Sequence, residues 1–226
     1  MTRPLFTGAC TALVTPFLNG EVNYPMLERL ISRQLEAGIR AIVLCGTTGE
    51  SATLEDEEKL EIIARAKEYV GGDCLIIAGS GSNSTEHTIR LSRAAEAAGA
   101  DALLLVSPYY NKATAEGLYQ HFSAAALSVG IPVILYNVPS RTGVDIPVGV
   151  YRRLSAIPNV AGVKEATGDM TKILSIRAQC PADFSVWSGS DDLTVPTLAL
   201  GGRGVISVLS NLYPGLTQTM VRAGLD

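Results

Sequence analysis

The segment Val160-Ala161-Gly162-Val163-Lys164-Glu165 decides how this chain can fold. Its first four residues are small or apolar, so the segment predicts a buried β-strand that carries a lysine at its carboxyl end. An α/β barrel does its chemistry at that end of the strands. Burial lowers the pKa of a lysine from its usual value near ~10.4, because it disfavours the ammonium form, and Lys164 is therefore a candidate Schiff-base nucleophile. An ion pair between Lys164 and Glu165 on a barrel rim is the alternative that this segment leaves open.

Seven other short apolar runs occur along the chain, and polar turns and segments of helical periodicity separate them. The predicted strands span residues 8–13, 41–45, 75–78, 102–106, 133–136, 160–164, 184–187 and 204–208. Most of these runs are continuously apolar, as in parallel strands that helices cover on the outside. After the eighth strand, one more helix is expected around residues 216–223.

Two α/β architectures fit this alternation. A doubly wound nucleotide-binding sheet would need a GxGxxG pattern after the first strand, where the chain has Thr11-Ala12-Leu13-Val14-Thr15-Pro16-Phe17 instead. Eight βα units favour closure into a barrel. We therefore expect an α/β protein with a (β/α)8 TIM barrel, as a single domain over residues 1–226.

The composition excludes several classes of function. The chain has 226 residues, 47% hydrophobic and 18% charged, with a net charge of -4 and no Lys/Arg run, which disfavours binding to nucleic acid or to an anionic membrane. No stretch approaches the ~18 apolar residues of a membrane span, and the amino terminus makes a poor signal peptide. Cys10, Cys45, Cys74 and Cys180 are far apart, with no CxxC spacing, so we expect reduced core thiols in a cytoplasmic protein and no metal site.

Polar residues follow three of the predicted strands. The second strand leads into a loop of small and hydroxyl residues, 46–51, that can hold a carboxylate or a phosphate. The fourth leads into Tyr109 and Tyr110, and the fifth ends at Tyr136 and leads into Arg141. Each is unremarkable alone, as a tight turn, a rim tyrosine or a solvated arginine. Together with Lys164 they predict a site at the barrel mouth.

Three motifs carry a resemblance to a known family. They are Gly46-Thr47-Thr48-Gly49-Glu50, Tyr136-Asn137-Val138-Pro139-Ser140-Arg141-Thr142-Gly143 and Gly162-Val163-Lys164-Glu165. In combination and order they resemble the dihydrodipicolinate synthase family, within the pyruvate-dependent class I aldolase superfamily that also contains N-acetylneuraminate lyase. The resemblance covers the whole chain and implies a (β/α)8 barrel.

The resemblance also implies roles for individual residues. Lys164 would form the Schiff base with pyruvate, Tyr136 would relay protons, and Thr47 and Thr48 would bind the pyruvate carboxylate. Thr47, Tyr136 and Tyr110 would form a proton relay, with Tyr110 reaching into the site of a neighbouring subunit, so a homo-oligomer of at least two subunits is expected. Two further positions are expected at the substrate site, Ile206 and Gly189.

Arg141 decides which aldehyde the enamine of pyruvate attacks. A guanidinium presents a bidentate fork to a carboxylate, which suits L-aspartate 4-semialdehyde and gives 4-hydroxy-tetrahydrodipicolinate after cyclisation. Neuraminate lyases lack an arginine at this position by the same resemblance, so a lyase of that type, or a related keto-acid aldolase, is the alternative. No metal or organic cofactor is expected, because the lysine imine is itself the electron sink.

The end of the sequence departs from the family pattern. Members usually continue past the barrel into a C-terminal helical region that helps the subunits assemble, and the remaining residues here suffice for one helix. Without that region we expect exposed apolar surface. The second hypothesis is therefore a folded but inactive barrel that acts as an assembly or binding protein.

Inhibition by lysine is a separate question. By the resemblance, lysine binds at a subunit interface through positions that match Ser51, Ala52, Asn83 and Tyr109. Nearby positions hold Asp56, Lys59 and His87 in this chain, and Lys59 would repel a lysine ligand. We predict weak or no inhibition by lysine. The second histidine, His121, lies in a segment of helical period and is expected at the surface or the edge of the core.

Overall fold

A computed structural model of the chain describes residues 4–225, in which eight parallel strands form a closed barrel. The strands are β1 Gly8–Ala12, β2 Ala41–Leu44, β3 Leu75–Gly79, β4 Ala102–Val106, β5 Val133–Asn137, β6 Val160–Glu165, β7 Ser185–Ser188 and β8 Gly204–Ser207. The barrel and its eight strands confirm the predicted architecture, and each strand boundary lies within one residue of its expected position. A short antiparallel ribbon of Phe17–Leu18 with Glu21–Val22, which the sequence did not predict, follows β1.

Helices follow the strands, and the longer ones cover the barrel on the outside. They are α1 Tyr24–Glu36, α2 Asp56–Val70, α3 Thr85–Ala97, α4 Ala115–Ala126, α5 Pro139–Thr142, α6 Val148–Leu154, α7 Met170–Gln179, α8 Thr194–Ala199 and α9 Pro214–Ala223. Within residues 4–225, none of these helices is long and apolar enough to cross a membrane. Helix α9 is the predicted last helix, extended by two residues at its start.

Two apolar layers hold the barrel together. The inner layer includes Cys10, Ile134 and Ile206, and the larger outer layer packs the opposite strand faces against the helices. At the bottom, Phe6 stacks on Trp187 with ring centroids 4.7 Å apart, and its carbonyl accepts a hydrogen bond from the indole Nε1. Because both faces of every strand are covered, the strands read as continuous apolar runs.

One strand pair is irregular. Val133 of β5 pairs with Val160 of β6, but the next residue, Ile134, pairs with Gly162, so Ala161 is an extra residue that forms a bulge. Beyond the bulge the register is regular up to Asn137 and Glu165.

The structure corrects two minor expectations, the place of His121 and the burial of all four cysteines. His121 is buried rather than at the edge of the core: its Nδ1 lies 2.8 Å from Thr85 Oγ1, and burial lowers its pKa to about 4. All four cysteines are free; Cys10, Cys45 and Cys74 are buried and Cys180 is half-buried.

Candidate active site

The carboxyl ends of β5 and β6 bring the proposed nucleophile and its proton relay together. Tyr136 and Lys164 are register partners, and both side chains point into the barrel. Lys164 Nζ lies 4.4 Å from the centroid of the Tyr136 ring. The amine and the phenol therefore occupy one space at the mouth.

The surroundings of Lys164 favour its neutral form. Its side chain is enclosed, with the residue only 4% exposed, and burial lowers its pKa to about 8, an effect that Cys10 and Asp191 oppose and Arg141 reinforces. At that pKa about one amine in ten is neutral at pH 7, against roughly one in a thousand for a free lysine. The ion pair with Glu165 is not formed, because the Glu165 side chain faces the outside of the barrel, where its cationic neighbour is Lys172 at 3.9 Å.

The Tyr136 hydroxyl is linked to Thr47. Burial raises the pKa of Tyr136, and a hydrogen bond with the Thr47 side chain and the charge of Arg141 oppose that rise. Two of the three expected relay groups are thus in contact. The third, Tyr110, is 85% exposed and has a φ of 78°, outside the site of its own chain.

A cavity of about 360 Å³ lies above these groups. It is lined by Thr47, Thr48, Tyr136, Val138, Ser140, Arg141, Lys164, Ala166, Gly189, Ser190 and Val208. Six of the residues expected at the site therefore meet in one place. Ile206 is not among the lining residues; it is fully buried in the inner layer of the barrel, in the same apolar cluster as Tyr136.

The threonine loop owes its shape to two unusual backbone conformations. Cys45 and Glu50, on either side of the loop, have φ values of 54° and 56°, which non-glycine residues rarely adopt. Glu50 N donates to Thr47 O at 3.1 Å, and Thr15 Oγ1 donates to Gly49 O at 2.7 Å, which ties the loop to the end of β1. The turn presents Thr47 and Thr48 to the cavity.

Gly189 packs directly against the nucleophile. Its N–H donates to Glu165 O at 2.7 Å, and a Cβ added at this position would lie 2.7 Å from Ala166 Cβ and 3.3 Å from Lys164 Cε. Any side chain here would press on the lysine, so the position requires glycine.

Comparison with known proteins places the chain in a family. The model of the Dihydrodipicolinate synthetase family matches residues 5–226. The chain belongs to the dihydrodipicolinate synthetase family. It is 49% identical to the 4-hydroxy-tetrahydrodipicolinate synthase of Acetivibrio thermocellus, covering 100% of this chain and 77% of that protein. The corresponding protein of Nitratidesulfovibrio vulgaris (strain DSM 19637 / Miyazaki F) is 51% identical, over 96% of this chain and 75% of its own.

Solved structures of the family agree with the fold. The dihydrodipicolinate synthase of Aquifex aeolicus superimposes with a TM-score of 0.96 at 45% identity, covering 97% of this chain and 75% of that one. The predicted family resemblance and the barrel are both confirmed.

A second cavity, of about 580 Å³, adjoins the first and shares Thr47, Val138 and Arg141 with it. The four expected effector positions all line it, namely Ser51, Ala52, Asn83 and Tyr109. Lys59 and His87 line it as well, and both contact Asp56, at 3.3 and 2.9 Å. Asp56 is therefore already occupied by cationic or donor groups, and the weak response to lysine remains a prediction.

The sequence analysis did not identify two sets of hydrogen-bonded residues that hold the loops and strands around the cavity. Asp191 accepts hydrogen bonds from Ser207 Oγ at 2.5 Å and from the Val208 and Leu209 N–H groups at 3.0 Å, which joins the loops after β7 and β8. Two acids in a row, Asp191-Asp192, directly after a strand were the available signal. The second set, around Asn137 and Glu165, lies on the outer side of the β5–β6 strand pair and had no signal beyond its place inside the quoted motifs.

Proposed function

We propose that the chain condenses pyruvate with L-aspartate 4-semialdehyde to give 4-hydroxy-tetrahydrodipicolinate, a step of lysine and diaminopimelate biosynthesis. The observation that carries the proposal is the buried amine of Lys164, which faces the Tyr136 phenol in a cavity that also contains the Arg141 guanidinium. The names of the family relatives support the same reaction.

The first half of the reaction makes the enamine. The neutral amine of Lys164 attacks the C2 carbonyl of pyruvate, and the carbinolamine loses water to give a protonated imine. Tyr136, which Thr47 contacts, is placed to give and retrieve the protons that this step moves. The imine then draws electrons from the adjacent C–H bond, so the methyl group loses a proton and becomes the nucleophilic enamine.

The second half joins the two substrates. The enamine carbon attacks the aldehyde carbon, and the aldehyde oxygen takes up a proton to become the 4-hydroxyl group. The amino group of the semialdehyde then attacks C2 and displaces Lys164 as the ring closes, which restores the free enzyme. The other products are the water lost at imine formation and the proton that the ammonium of the semialdehyde releases before its amine attacks C2, and no metal or organic cofactor is needed in this proposal.

Arg141 is proposed to select the aldehyde, and Thr47 and Thr48 to bind the pyruvate carboxylate. The guanidinium lines the mouth of the cavity, where it can hold a carboxylate by two parallel hydrogen bonds. This favours the semialdehyde over the uncharged aldehydes that other pyruvate aldolases release.

Borohydride trapping tests the proposal. The protein is incubated with pyruvate and borohydride, and the reduced adduct is located by mass spectrometry, with Lys164→Ala as the control. We expect one adduct, on the peptide that contains Lys164, and consumption of aspartate semialdehyde in a coupled assay. An adduct on another lysine, or none on well-folded protein, would overturn the assignment and favour an inactive barrel.

We also propose that the chain is a cytoplasmic homo-oligomer of at least two subunits. Tyr110 supports this, because its side chain is 85% exposed at a positive φ and does not line the cavity of its own chain. Sedimentation of the purified protein, with Tyr110→Ala for comparison, checks the oligomeric state. Enzyme that saturates with both substrates as a monomer would contradict the proposal.

A further inference from the structure

The loop that carries Arg141 begins and ends at one side chain. Asn137, the last residue of β5, accepts a hydrogen bond through Oδ1 from the Ile146 N–H at 3.1 Å, nine residues farther along the chain. Through Nδ2 it donates to Asp145 Oδ1 at 2.8 Å. A single amide therefore bridges the two ends of the segment 138–145.

The same amide is held from behind by Glu165. The second Nδ2 proton is shared between the two Glu165 carboxylate oxygens, at 3.0 and 3.1 Å. Tyr151 OH, at 3.1 Å, and Thr167 N–H, at 3.0 Å, also donate to this carboxylate, and Lys172 Nζ lies 3.9 Å away. Since every neighbour is a donor, the geometry fits the ionised carboxylate, although burial raises its pKa.

Lys172 closes the network. Its ammonium pairs with Asp145, so it joins the loop end to the Glu165 carboxylate. Asn137 and Tyr151 are fully buried, and Lys172 has only 7% of its side chain exposed. Water cannot readily replace a lost partner in such a place, so each group depends on the others.

Away from its ends the loop has few contacts with the barrel: the Tyr110 N–H donates to Thr142 O at 3.2 Å, and the side chains of Val138 and Val144 are buried. Helix α5 is four residues long and ends at Gly143, whose φ is 71°. Most of its bonds are local, such as Arg141 N–H to Val138 O at 2.9 Å and Thr142 Oγ1 to Val144 O at 3.0 Å. Such bonds shape the loop internally, whereas the bonds of Asn137 attach both of its ends to β5.

We propose that Asn137, Tyr151, Glu165 and Lys172 form a clasp that holds the 138–145 loop and thereby positions Arg141 for the carboxylate of the aldehyde substrate. The inference rests on the proposed function and extends it to four positioning residues, none of which touches substrate. Thr47, Thr48 and Lys164 lie outside the 138–145 loop, so opening the clasp affects the aldehyde half of the reaction far more than the pyruvate half.

The first test does not depend on activity. In Asn137→Ala we expect the Ile146 amide hydrogen to exchange about 100-fold faster or more, because its buried acceptor is gone, while the amides of β4 keep their protection. The matched control is Thr11→Val, which removes the buried hydrogen bond from Thr11 Oγ1 to Gln34 Oε1, 2.7 Å long, on the diametrically opposite strand. Unchanged exchange at Ile146, or equal loss in the control, would overturn the clasp.

The second test uses kinetics. Asn137→Ala should raise the KM for aspartate semialdehyde about tenfold and leave trapping of pyruvate by borohydride within about twofold of wild type. In an Arg141→Ala background, the same change should add less than about twofold, because both changes remove one interaction. Additive losses, or an equal loss of pyruvate trapping, would mean that the cluster is merely structural.

A second variant and the wild-type control distinguish failure of the clasp from failure of folding or of the proposed function. If Asn137→Ala does not fold, Tyr151→Phe removes a single donor from Glu165 and is expected to give the same pattern in smaller measure. If wild-type protein forms no pyruvate adduct, the proposed function fails, and the exchange experiment alone decides the clasp.

Discussion

The two faces of the β5–β6 strand pair bury charge in opposite ways. On the inner face, Lys164 is enclosed beside Tyr136, with no carboxylate in contact, and burial lowers its pKa to about 8. On the outer face, one residue farther along, Glu165 is equally buried but receives hydrogen bonds from Asn137, Tyr151 and Thr167. Neighbouring residues of one strand therefore differ in whether their charge has partners.

This difference in partners suits Lys164 to a reactive role and Glu165 to a stabilising one. A buried group without partners is destabilised in its charged form, so a larger fraction of Lys164 is neutral than of a free lysine, and the neutral form is the one that the proposed attack on a carbonyl needs. A buried group with several donors keeps its charge and fixes the backbone around it, so Glu165 serves as an anchor. The same burial thus has two outcomes, and four experiments test the difference between the two faces.

Removing the inner charge should have the largest effect. Lys164→Met is expected to abolish the pyruvate adduct and to stabilise the fold. The folded pKa of Lys164, about 8, lies below that of the unfolded chain, so the unfolded state binds more protons and stability rises with pH between the two values. Below pH 8 the lysine therefore costs roughly 3 kcal/mol, which the methionine variant regains.

Denaturant unfolding of wild type and Lys164→Met at pH 7 and pH 10 measures this gain. The advantage of the variant should shrink as the pH approaches 10, because the wild-type amine is then neutral in the folded state. If the variant is no more stable than wild type at pH 7, burial does not destabilise the charged form of Lys164.

Crowding the inner face comes next. Gly189→Ala would press a methyl group towards Lys164 Cε, and we expect pyruvate trapping to slow about 100-fold, since displacing a reacting group by an ångström has that order of cost. Gly149→Ala is the matched control, because a Cβ on that α6 glycine meets no atom within 4 Å. Trapping rates within a factor of two for both variants would refute the packing argument.

Neutralising Glu165, the charge on the outer face, should lower the stability of the fold and leave formation of the pyruvate adduct intact. Glu165→Gln turns two of its acceptor positions into donors that face other donors, and we expect a loss of about 2 kcal/mol in the free energy of unfolding, with the pyruvate adduct retained. Glu61→Gln, in the exposed pair with Arg65, serves as the control and should leave stability unchanged. Loss of the adduct at full stability would reverse the roles assigned to the two faces.

The smallest effect concerns pH. Trapping of pyruvate should rise about tenfold from pH 7 to pH 9 and then level off, as the neutral fraction of an amine with a pKa of about 8 saturates. Arg141→Met should move the midpoint to higher pH, because the arginine charge helps to lower the pKa of Lys164. A midpoint that stays near 8 in the variant would remove Arg141 from the electrostatics of the amine.

Much of this molecule could be predicted from its sequence, and the limit has a physical cause. The strands were predictable because their residues are buried on both faces, as in Ala102–Val106, where both boundaries are correct. The cavity residues were predictable because a barrel gathers whatever follows its strands, which placed Thr47, Tyr136 and Arg141 together.

The partners of Glu165 were not predictable in the same way. Tyr151 and Lys172 come from helices whose rotation about their own axes is set by packing, and no local pattern marks which residue of each helix reaches the strand. The ion pair considered between Lys164 and Glu165 failed for a simpler reason, since consecutive residues of a strand point to opposite faces. Ile206 was expected to line the cavity but lies in the core layer of the barrel.

The bulge at Ala161 determines which side chains of β6 point into the barrel. Side chains alternate along β6, so the number of paired residues after Val160, the outward-facing residue before the bulge, decides which of Lys164 and Glu165 points into the barrel. Because Ala161 is in the bulge and is not paired, Lys164 points into the barrel. If Ala161 were paired with β5, Glu165 would point into the barrel instead. Deleting Ala161 should therefore leave Lys164 pointing into the barrel. Adding one residue between Gly162 and Lys164 should instead turn Lys164 outward and Glu165 inward, although neither residue is substituted.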